Sequence, residues 1–278
     1  MKDPGITDAE FARFQRLIHE IAGISLADSK KVLLVGRLGK RLRTLGLTSF
    51  TQYEHVVSDK KNAQERQIMV DLLTTNETYF FREPAHFDYL RSVILPQHPQ
   101  NQPLNIWSAA ASTGEEIYTL AMVLADCLGV NGDWNILGSD ISSRVLEVAR
   151  RGHYWVDRTR GLPVEYRHKY CLKGVRSQEG SFLVAPELRR HTRFMQVNLN
   201  TSLPDIGRFH VIFLRNVMIY FDNATKREVV ARLVQKLHPG GYLIVGHSES
   251  LNGVSDAVTL VRPTIYRLPV APARVARS

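Results

Sequence analysis

The chain has 278 residues, 44% hydrophobic and 23% charged, which is enough apolar material for one large domain or two ordinary ones. That composition excludes wholesale disorder, a collagen-like fibre and a disulfide-stapled miniprotein; the only cysteines, Cys127 and Cys171, lie outside any C-x-x-C or Cys/His cluster, so neither a structural zinc, nor any other metal, nor a disulfide framework is expected. The formal charge of +9 (36 basic minus 27 acidic residues) implies an acidic partner, either nucleic acid or an acidic protein surface.

Reduced cysteines suit the cytoplasm, and the opening Met1-Lys2-Asp3-Pro4-Gly5 lacks the basic-then-apolar profile of a secretion signal. Residues up to about 75 read as helices. Thr7-Asp8-Ala9-Glu10 fits a capping box, followed by Phe11, Phe14, Leu17 and Ile21 at helical spacing. Leu34, Leu38, Leu42 and Leu45 form a second stripe. Residues 29–53 hold Lys30, Lys31, Arg37, Lys40, Arg41 and Arg43 and no acid, and all but Lys31 fall on the side of the helical wheel away from the leucines. This helix is expected to bury leucine and present cations, although a merely solvated face would look the same. Ile68, Met69, Leu72 and Leu73 continue helically.

After Pro103 the texture changes to strand–helix alternation. Strands are expected at Leu104–Trp107, from Trp134 to Gly138 and on to Asp140, at Phe209–Leu214 and at Tyr242–Val245. Helices are expected at Glu115–Leu128, Ser142–Arg151 and Ala224–Leu237, with a last hairpin arm over 257–268. This spacing predicts a doubly wound, mostly parallel sheet. Between the helix ending near 151 and the strand at 209, Tyr170–Leu172, Gly180–Val184 and Phe194–Val197 read as a small antiparallel insert. Residues 142–193, with 12 basic and 5 acidic side chains, form the second positive region. The most apolar run, Val211 to Phe221, is broken by Arg215 and Asn216, so no membrane span of roughly 18 residues is expected. The Pro-, Ala- and Arg-rich tail 269–278 reads as disordered.

Several segments carry candidate chemistry. Ser108-Ala109-Ala110-Ala111-Ser112-Thr113-Gly114-Glu115-Glu116 joins the first strand to its helix, where small side chains let a ligand approach the backbone. Asp140 ends the second strand, placed to accept from a ribose diol or to cap the next helix. Acids here, without a phosphate-cradling Gly/Lys loop, favour a nucleoside ligand that does not lead with phosphates, and S-adenosylmethionine fits. Asn76-Glu77-Thr78-Tyr79-Phe80-Phe81-Arg82-Glu83 packs three aromatics between polar groups. Arg215 and Asn216 follow a buried strand, where a charge must be paired.

At these motifs the sequence resembles the bacterial chemotaxis receptor methyltransferases of the CheR type. The matching segments are N-x-T-x-F-F-R at Asn76 to Arg82, Trp107 to Glu116, Gly138 to Ile141, V-N-L at Val197 to Leu199, R-N-V-M-I-Y-F at Arg215 to Phe221 and G-G-Y-L-x-x-G-H-S-E-S at Gly240 to Ser250, in order across about residues 7–268. The resemblance implies an all-α N-terminal domain over 1–72 and a linker over 73–90 that contributes to the cofactor site. It implies a Rossmann-like methyltransferase domain over 91–268 with a β-subdomain at about 168–196. The implied activity is methyl transfer from S-adenosylmethionine, leaving S-adenosylhomocysteine, to glutamates of chemoreceptors. By motif position the cofactor contacts are Asn76, Thr78, Arg82, Glu115, Asp140, Asn198, Leu199, Arg215 and Asn216, with Arg82 and Tyr220 as catalytic residues. Arg82 would orient cofactor and carboxylate; a salt bridge with Glu83 or Asp88 is its structural alternative. In some members the β-subdomain docks a pentapeptide at the receptor's C-terminus, and the compact loop Gly174–Gly180 resembles theirs.

A glutamate carboxylate is already ionised at neutral pH and needs no general base. An anion attacking a sulfonium disperses charge, so a dry, aligned pocket speeds the step. Tyr79, Phe80, Phe81, Tyr220 and Phe221 are expected to supply that pocket, with a cation–π contribution of roughly 0.5–2 kcal/mol. His247 reads as part of a turn after a strand and not as an acid–base group. Arg37, Lys40 and Arg41 are expected to dock the acidic helical methylation region of the receptor. The competing readings are a nucleic-acid methyltransferase and a non-enzymatic S-adenosylmethionine-binding scaffold; neither direct nucleic-acid nor direct membrane contact is the preferred expectation, and the chain is taken as a monomer.

Overall fold

The computed structural model describes residues 5–270, so the expected disordered tail lies outside the described residues from position 271 onward. Four helices open the chain: α1 (Asp8–Ala22), α2 (Lys31–Thr44), α3 (Phe50–Ser58) and α4 (Ala63–Leu73). The capping box at α1 is complete. The Thr7 hydroxyl accepts from the Glu10 N–H at 3.2 Å and Glu10 Oε2 accepts from the Thr7 N–H at 2.9 Å. Glu10 Oε1 also accepts from the N–H and hydroxyl of Thr51, tying α1 to α3. Leu34, Leu38 and Leu42 of α2 are fully buried, as their spacing predicts.

Residues 74–84 lead into α5 (Ala85–Tyr89), which runs through a π-turn into α6 (Leu95–Gln97). The large sheet is built from β1 (Leu104–Ser108), β2 (Trp134–Asp140), β6 (Thr192–Gln196), β7 (Phe209–Leu214), β8 (Leu237–Val245), β9 (Thr259–Arg262) and β10 (Ile265–Arg267). Its order is β6-β2-β1-β7-β8-β10-β9; the first five strands are parallel and β10 runs antiparallel to both neighbours. The crossovers are α7 (Glu115–Leu128), α8 (Ser143–Arg151) and α11 (Asn223–Val234). The fold is α/β, a Rossmann-like sheet preceded by an all-α region. A three-stranded antiparallel sheet, in the order β3-β5-β4, sits beside it: β3 (His153–Trp155), β4 (Cys171–Lys173) and β5 (Ser181–Val184), with α9 (Val164–Tyr170) between β3 and β4 and α10 (Pro186–Arg189) after β5.

Two expectations are corrected here. Phe194–Val197, assigned to the insert, instead contributes to β6, the parallel edge strand beside β2. The insert's third strand is His153–Trp155, so the small sheet spans 153–184 and not 168–196. Short β-like runs carry no sign of their partner, and an edge strand with an exposed Arg193 reads like an insert strand. The hairpin expected at 257–268 forms, as β9 and β10. The strand after Pro239-Gly240-Gly241 begins earlier than expected, at Leu237, where the sequence suggested the end of a helix.

Alternate residues of β1 face opposite cores. Trp107 packs with the helical region, with Phe14, Leu38 and Leu73 in one continuous apolar cluster that extends to Val230 and Leu233 of α11. Ile106 faces the other side, with α7, Phe87 and the insert's Phe182. The N-terminal helices thus share a core with the sheet. Their attachment is also polar: Asn198 Nδ2 donates to the Ile21 carbonyl at 2.6 Å, His19 Nε2 meets Asp222 at 2.8 Å, and Ile24 forms an antiparallel bridge with Phe221. Gly23 ends α1 at φ +70°, where a Cβ would stand 2.7 Å from Thr225 Cγ2 and 2.9 Å from Asn200 Oδ1. Gly23→Ala is therefore expected to cost about 2 kcal/mol through strain and displaced packing, read as a lowered denaturation midpoint. An unchanged midpoint would show that this end of α1 is not held against the sheet.

Candidate active site

Strand β1 lies between β2 and β7, and the chain leaves its two flanks in opposite directions. Open α/β sheets bind ligands at this reversal, outside the carboxyl ends of the strands. A cavity of about 500 Å³ occurs there, walled by the strand tips, the 73–82 segment and the connection between α1 and α2. Its volume is in the range of a small-molecule site. Ala109 and Ala110 leave its floor open to the backbone, while Ile24, Leu26, Ile141, Val197 and Phe221 supply apolar walls.

Asp140 is its most buried carboxylate, 7% exposed. Its Oδ2 accepts from the Ser112 N–H and its Oδ1 from the Ser142 N–H, both at 2.9 Å. Each oxygen keeps a lone pair, so the group can still accept from a diol while its position is fixed by backbone. Burial pushes its carboxyl up, and the two N–H donors pull against that. The helix-cap reading of Asp140 is corrected: Ser142 holds the N-cap position of α8, and Asp140 accepts from that residue's N–H while facing the cavity.

The linker is stitched to the sheet. The Ser112 hydroxyl donates to the Asn76 carbonyl at 2.8 Å, and the Phe81 N–H donates to Thr119 Oγ1 at 3.1 Å. Arg215, 5% exposed, is the central tie. It meets Glu116 Oε2 at 2.8 Å and Glu83 Oε2 at 3.1 Å, donates to the Arg82 carbonyl and lies over the Phe87 ring. Burial works against the charge of Glu83, but Arg215, Asn216 and the His247 N–H hold its carboxyl below the usual range. Phe81, Glu83, Ser112 and Asn216 all adopt left-handed φ between 48° and 57°, a concentration of backbone strain around one site.

Asn76, Thr78, Arg82, Asp140, Asn198, Leu199, Arg215, Asn216 and Tyr220 all line this cavity. Glu115 does not. Its Oε2 accepts from the Thr113 hydroxyl at 2.6 Å and burial pushes its carboxyl up; the next residue, Glu116, a helical step of 100° away, faces the cavity instead. Arg82 pairs with neither Glu83 nor Asp88 and donates to the Glu77 carbonyl at 2.8 Å. The aromatic lining is smaller than expected. Phe80 is fully buried against Tyr154 and Phe182, and Phe81 packs on Phe87 and Tyr166, so these rings anchor the insert. Tyr220 and Phe221 remain at the cavity.

The cations of α2 divide. Arg37 lines the cavity and donates to the Leu73 and Thr74 carbonyls at 2.9 and 3.0 Å, closing the end of α4. Arg41 forms a two-pronged pair with Glu65, whose Oε1 also accepts from Tyr53. Lys40 is exposed. A wheel drawn for α2 alone places Arg37 and Arg41 on the outer side, yet α4 and the linker cover that side.

Glu249 was not singled out by sequence. Its carboxylate accepts from the N–H groups of Asn216, Met218, Ile219 and Gly246 at 2.7–3.3 Å, moulding the loop that carries Asn216 and Tyr220. The only sequence sign is an acid in a tight turn, His247-Ser248-Glu249-Ser250, after a buried strand.

Two family models match in tandem: the all-alpha domain of CheR methyltransferase over residues 9–74 and its SAM binding domain over 76–267. A chemotaxis protein methyltransferase of Escherichia coli is 41% identical over 95% of this chain and 92% of its own length. Another from Pseudomonas aeruginosa is 40% identical (94% and 93%), and one from Borreliella burgdorferi is 35% identical (94% and 95%).

Glu249→Ala leaves four clustered N–H groups without their acceptor and is expected to destabilise the protein by about 3 kcal/mol. Glu249→Gln, which keeps an acceptor oxygen, recovers part of the loss in the same denaturation measurement. Equal stability of all three proteins would refute the moulding role.

Proposed function

The chain belongs to the CheR methyltransferase family, and from that premise we propose that it methylates glutamate side chains of chemoreceptors as methyl esters, working in the cytoplasm as a monomer. The observation that supports this most is the cavity at the strand tips, where Asp140 keeps free lone pairs among apolar walls. S-adenosylmethionine supplies a methyl group on a sulfonium, and the residues present suit it. Asp140 would accept from its ribose, Asn76, Thr78, Asn198, Leu199 and Asn216 would line its bed, and Ala109 and Ala110 leave room at the backbone. Arg215 contributes from behind, through Glu116 and Glu83.

Arg82 and Tyr220 would act on the reacting groups: the guanidinium orients the incoming carboxylate and the ring covers the approach. No base is required because the nucleophile is already an anion. Ile24, Leu26, Val217 and Phe221 exclude water, which raises the energy of the separated ions more than that of the dispersed transition state. Positioning alone can supply on the order of 7–11 kcal/mol.

Charge supports the substrate class. A folded chemoreceptor helix rich in glutamate suits a positive surface, and the insert with its loop Gly174–Gly180 offers a place for a receptor-terminal pentapeptide. Many arginines that suggested nucleic acid have internal partners: Arg41 holds Glu65, Arg66 the Val57 carbonyl, Arg190 that of Val130 and Arg232 that of Leu199. Among the described residues no helix is long and apolar enough to cross a membrane, so contact with the membrane would run through receptors.

The test is incubation of the full chain with methyl-labelled donor and receptor-containing membranes, followed by mild base. Labelled methanol released from the receptor is expected; base-stable label, or label on RNA or DNA, would reject the proposal. Asp140→Asn should remain folded and lose at least tenfold in donor affinity by calorimetry, the scale of one charge-assisted hydrogen bond. For docking, Lys40→Glu is expected to raise the KM for receptor severalfold, with the effect shrinking at high salt, while donor affinity stays unchanged. Unaltered receptor kinetics would remove α2 from the docking surface.

A further inference from the structure

On the outer side of Arg215 lies a second cavity of about 480 Å³, walled by α5, the turn after β8 and the start of β10. His86, His247 and Thr264 line it. At its inner edge Glu83, His86 and His247 each offer one donor atom, all within 4.8 Å of one another. The His86 ring is 1% exposed, and its Nε2 stands 2.8 Å from the Thr264 hydroxyl. That hydroxyl donates its own hydrogen to the Pro263 carbonyl at 2.6 Å. It can therefore only accept from His86, which puts the imidazole hydrogen on Nε2. His86 Nδ1 is left with a lone pair and no hydrogen-bond partner, 3.5 Å from Glu83 Oε2.

The unpartnered Nδ1 thus faces a carboxylate oxygen that accepts from Arg215 and the His247 N–H, and a cation between the two atoms would give the buried nitrogen its partner. The gap has the right width. Zinc–nitrogen and zinc–oxygen bonds of about 2.0–2.2 Å at a tetrahedral angle put adjacent ligand atoms about 3.4 Å apart. His247 closes a third side, its ring centroid 5.1 Å from that of His86. Because this side chain is exposed, solvent can reach the fourth position. Glu83 is held in place by Arg215, by Asn216 Nδ2 at 3.2 Å and by the His247 N–H at 3.2 Å, the supporting contacts that a ligating carboxylate needs.

We propose that Glu83, His86 and His247 form a binding site for a divalent transition-metal ion of the zinc class, next to the methyl-transfer site but separate from its cavity. Two imidazoles and one carboxylate favour such an ion over magnesium, which prefers an all-oxygen shell. The Arg215 charge on the same Glu83 oxygen moderates the affinity, and it couples the two sites: an ion on Glu83 competes with the guanidinium that braces Glu116. No metal is expected from the cysteine pattern of the sequence; Glu83 and His86 lie three residues apart, and only the fold brings His247 to them. His98, His210 and His238 form the other imidazole group, but those rings contact one another face-on or edge-on, and their donor atoms do not converge with carboxylates on one point.

The experiment is titration of the tag-free full chain with Co2+, followed by its visible d–d absorption, then displacement by Zn2+ and by Mg2+. One saturable equivalent with an intense tetrahedral-type spectrum is expected, displaced by Zn2+ and not by a large excess of Mg2+. His247→Gln, at an exposed side chain, should weaken Co2+ binding at least tenfold while circular dichroism and donor binding stay as in the wild type; His86→Gln should do the same to the metal. Absence of a saturable equivalent, or binding that His247→Gln leaves intact, would overturn the proposal.

Discussion

The buried guanidinium of Arg215 is the constraint around which the site is arranged. A charge at the end of an interior strand is tolerable only when paired and hydrogen-bonded. Here two separate pieces of chain answer that demand: Glu116 from the first turn of α7, and the linker through the Glu83 carboxylate and the carbonyl of Arg82. Neither piece is next to Arg215 in sequence, so satisfying one charge fixes the linker against the sheet. The same pairing explains why Glu83 can adopt a left-handed backbone conformation, since its two carboxylate oxygens are held from outside the segment. Deleting one partner would leave an uncompensated buried charge, a heavier penalty than the net worth of the pair.

A second consequence is that the cavity belongs to both halves of the chain. Lys30, Leu33 and Arg37 from the helical region face Asp140 and Asn198 from the sheet across the same space. The apolar cluster beneath is continuous from Phe14 to Leu233, and Asn198 both lines the cavity and holds the last turn of α1 through the Ile21 carbonyl. Helical region and sheet thus share the walls of one cavity. That suits a reaction whose main need is alignment of two charged partners away from water and whose nucleophile requires no activation.

How much of this could be read in advance follows from physical range. Strands β1, β2 and β7 were legible because buried parallel strands are short apolar runs bounded by small or polar residues. The line of Asn76, Thr78, Asp140 and Tyr220 was legible as motifs. Directions of side chains were not. Phe80 and Phe81 are apolar wherever they point, and only the insert's Tyr154, Tyr166 and Phe182 determine that they point away from the cavity. Glu115 and Glu116 are chemically equivalent in sequence, and one helical step decides which meets Arg215. The strand His153–Trp155 was missed because three residues carry almost no periodic signal, and its pairing with Ser181–Leu183 is a long-range fact.

The arginines make the same point about charge. A run of cations on one helix looks like a docking face when that helix is drawn alone, and +9 on the whole chain suggests a polyanion. In the folded chain Arg37 terminates α4, Arg41 neutralises Glu65, Arg190 braces the Val130 carbonyl and Arg215 sits in the core. Each of these four has a partner inside the fold, and the field left for a partner comes from the cations that stay exposed, among them Lys40, Lys173, Arg176 and Arg193. Net charge therefore measures how many cations the chain carries, while the accessible field depends on which of them the fold has already matched.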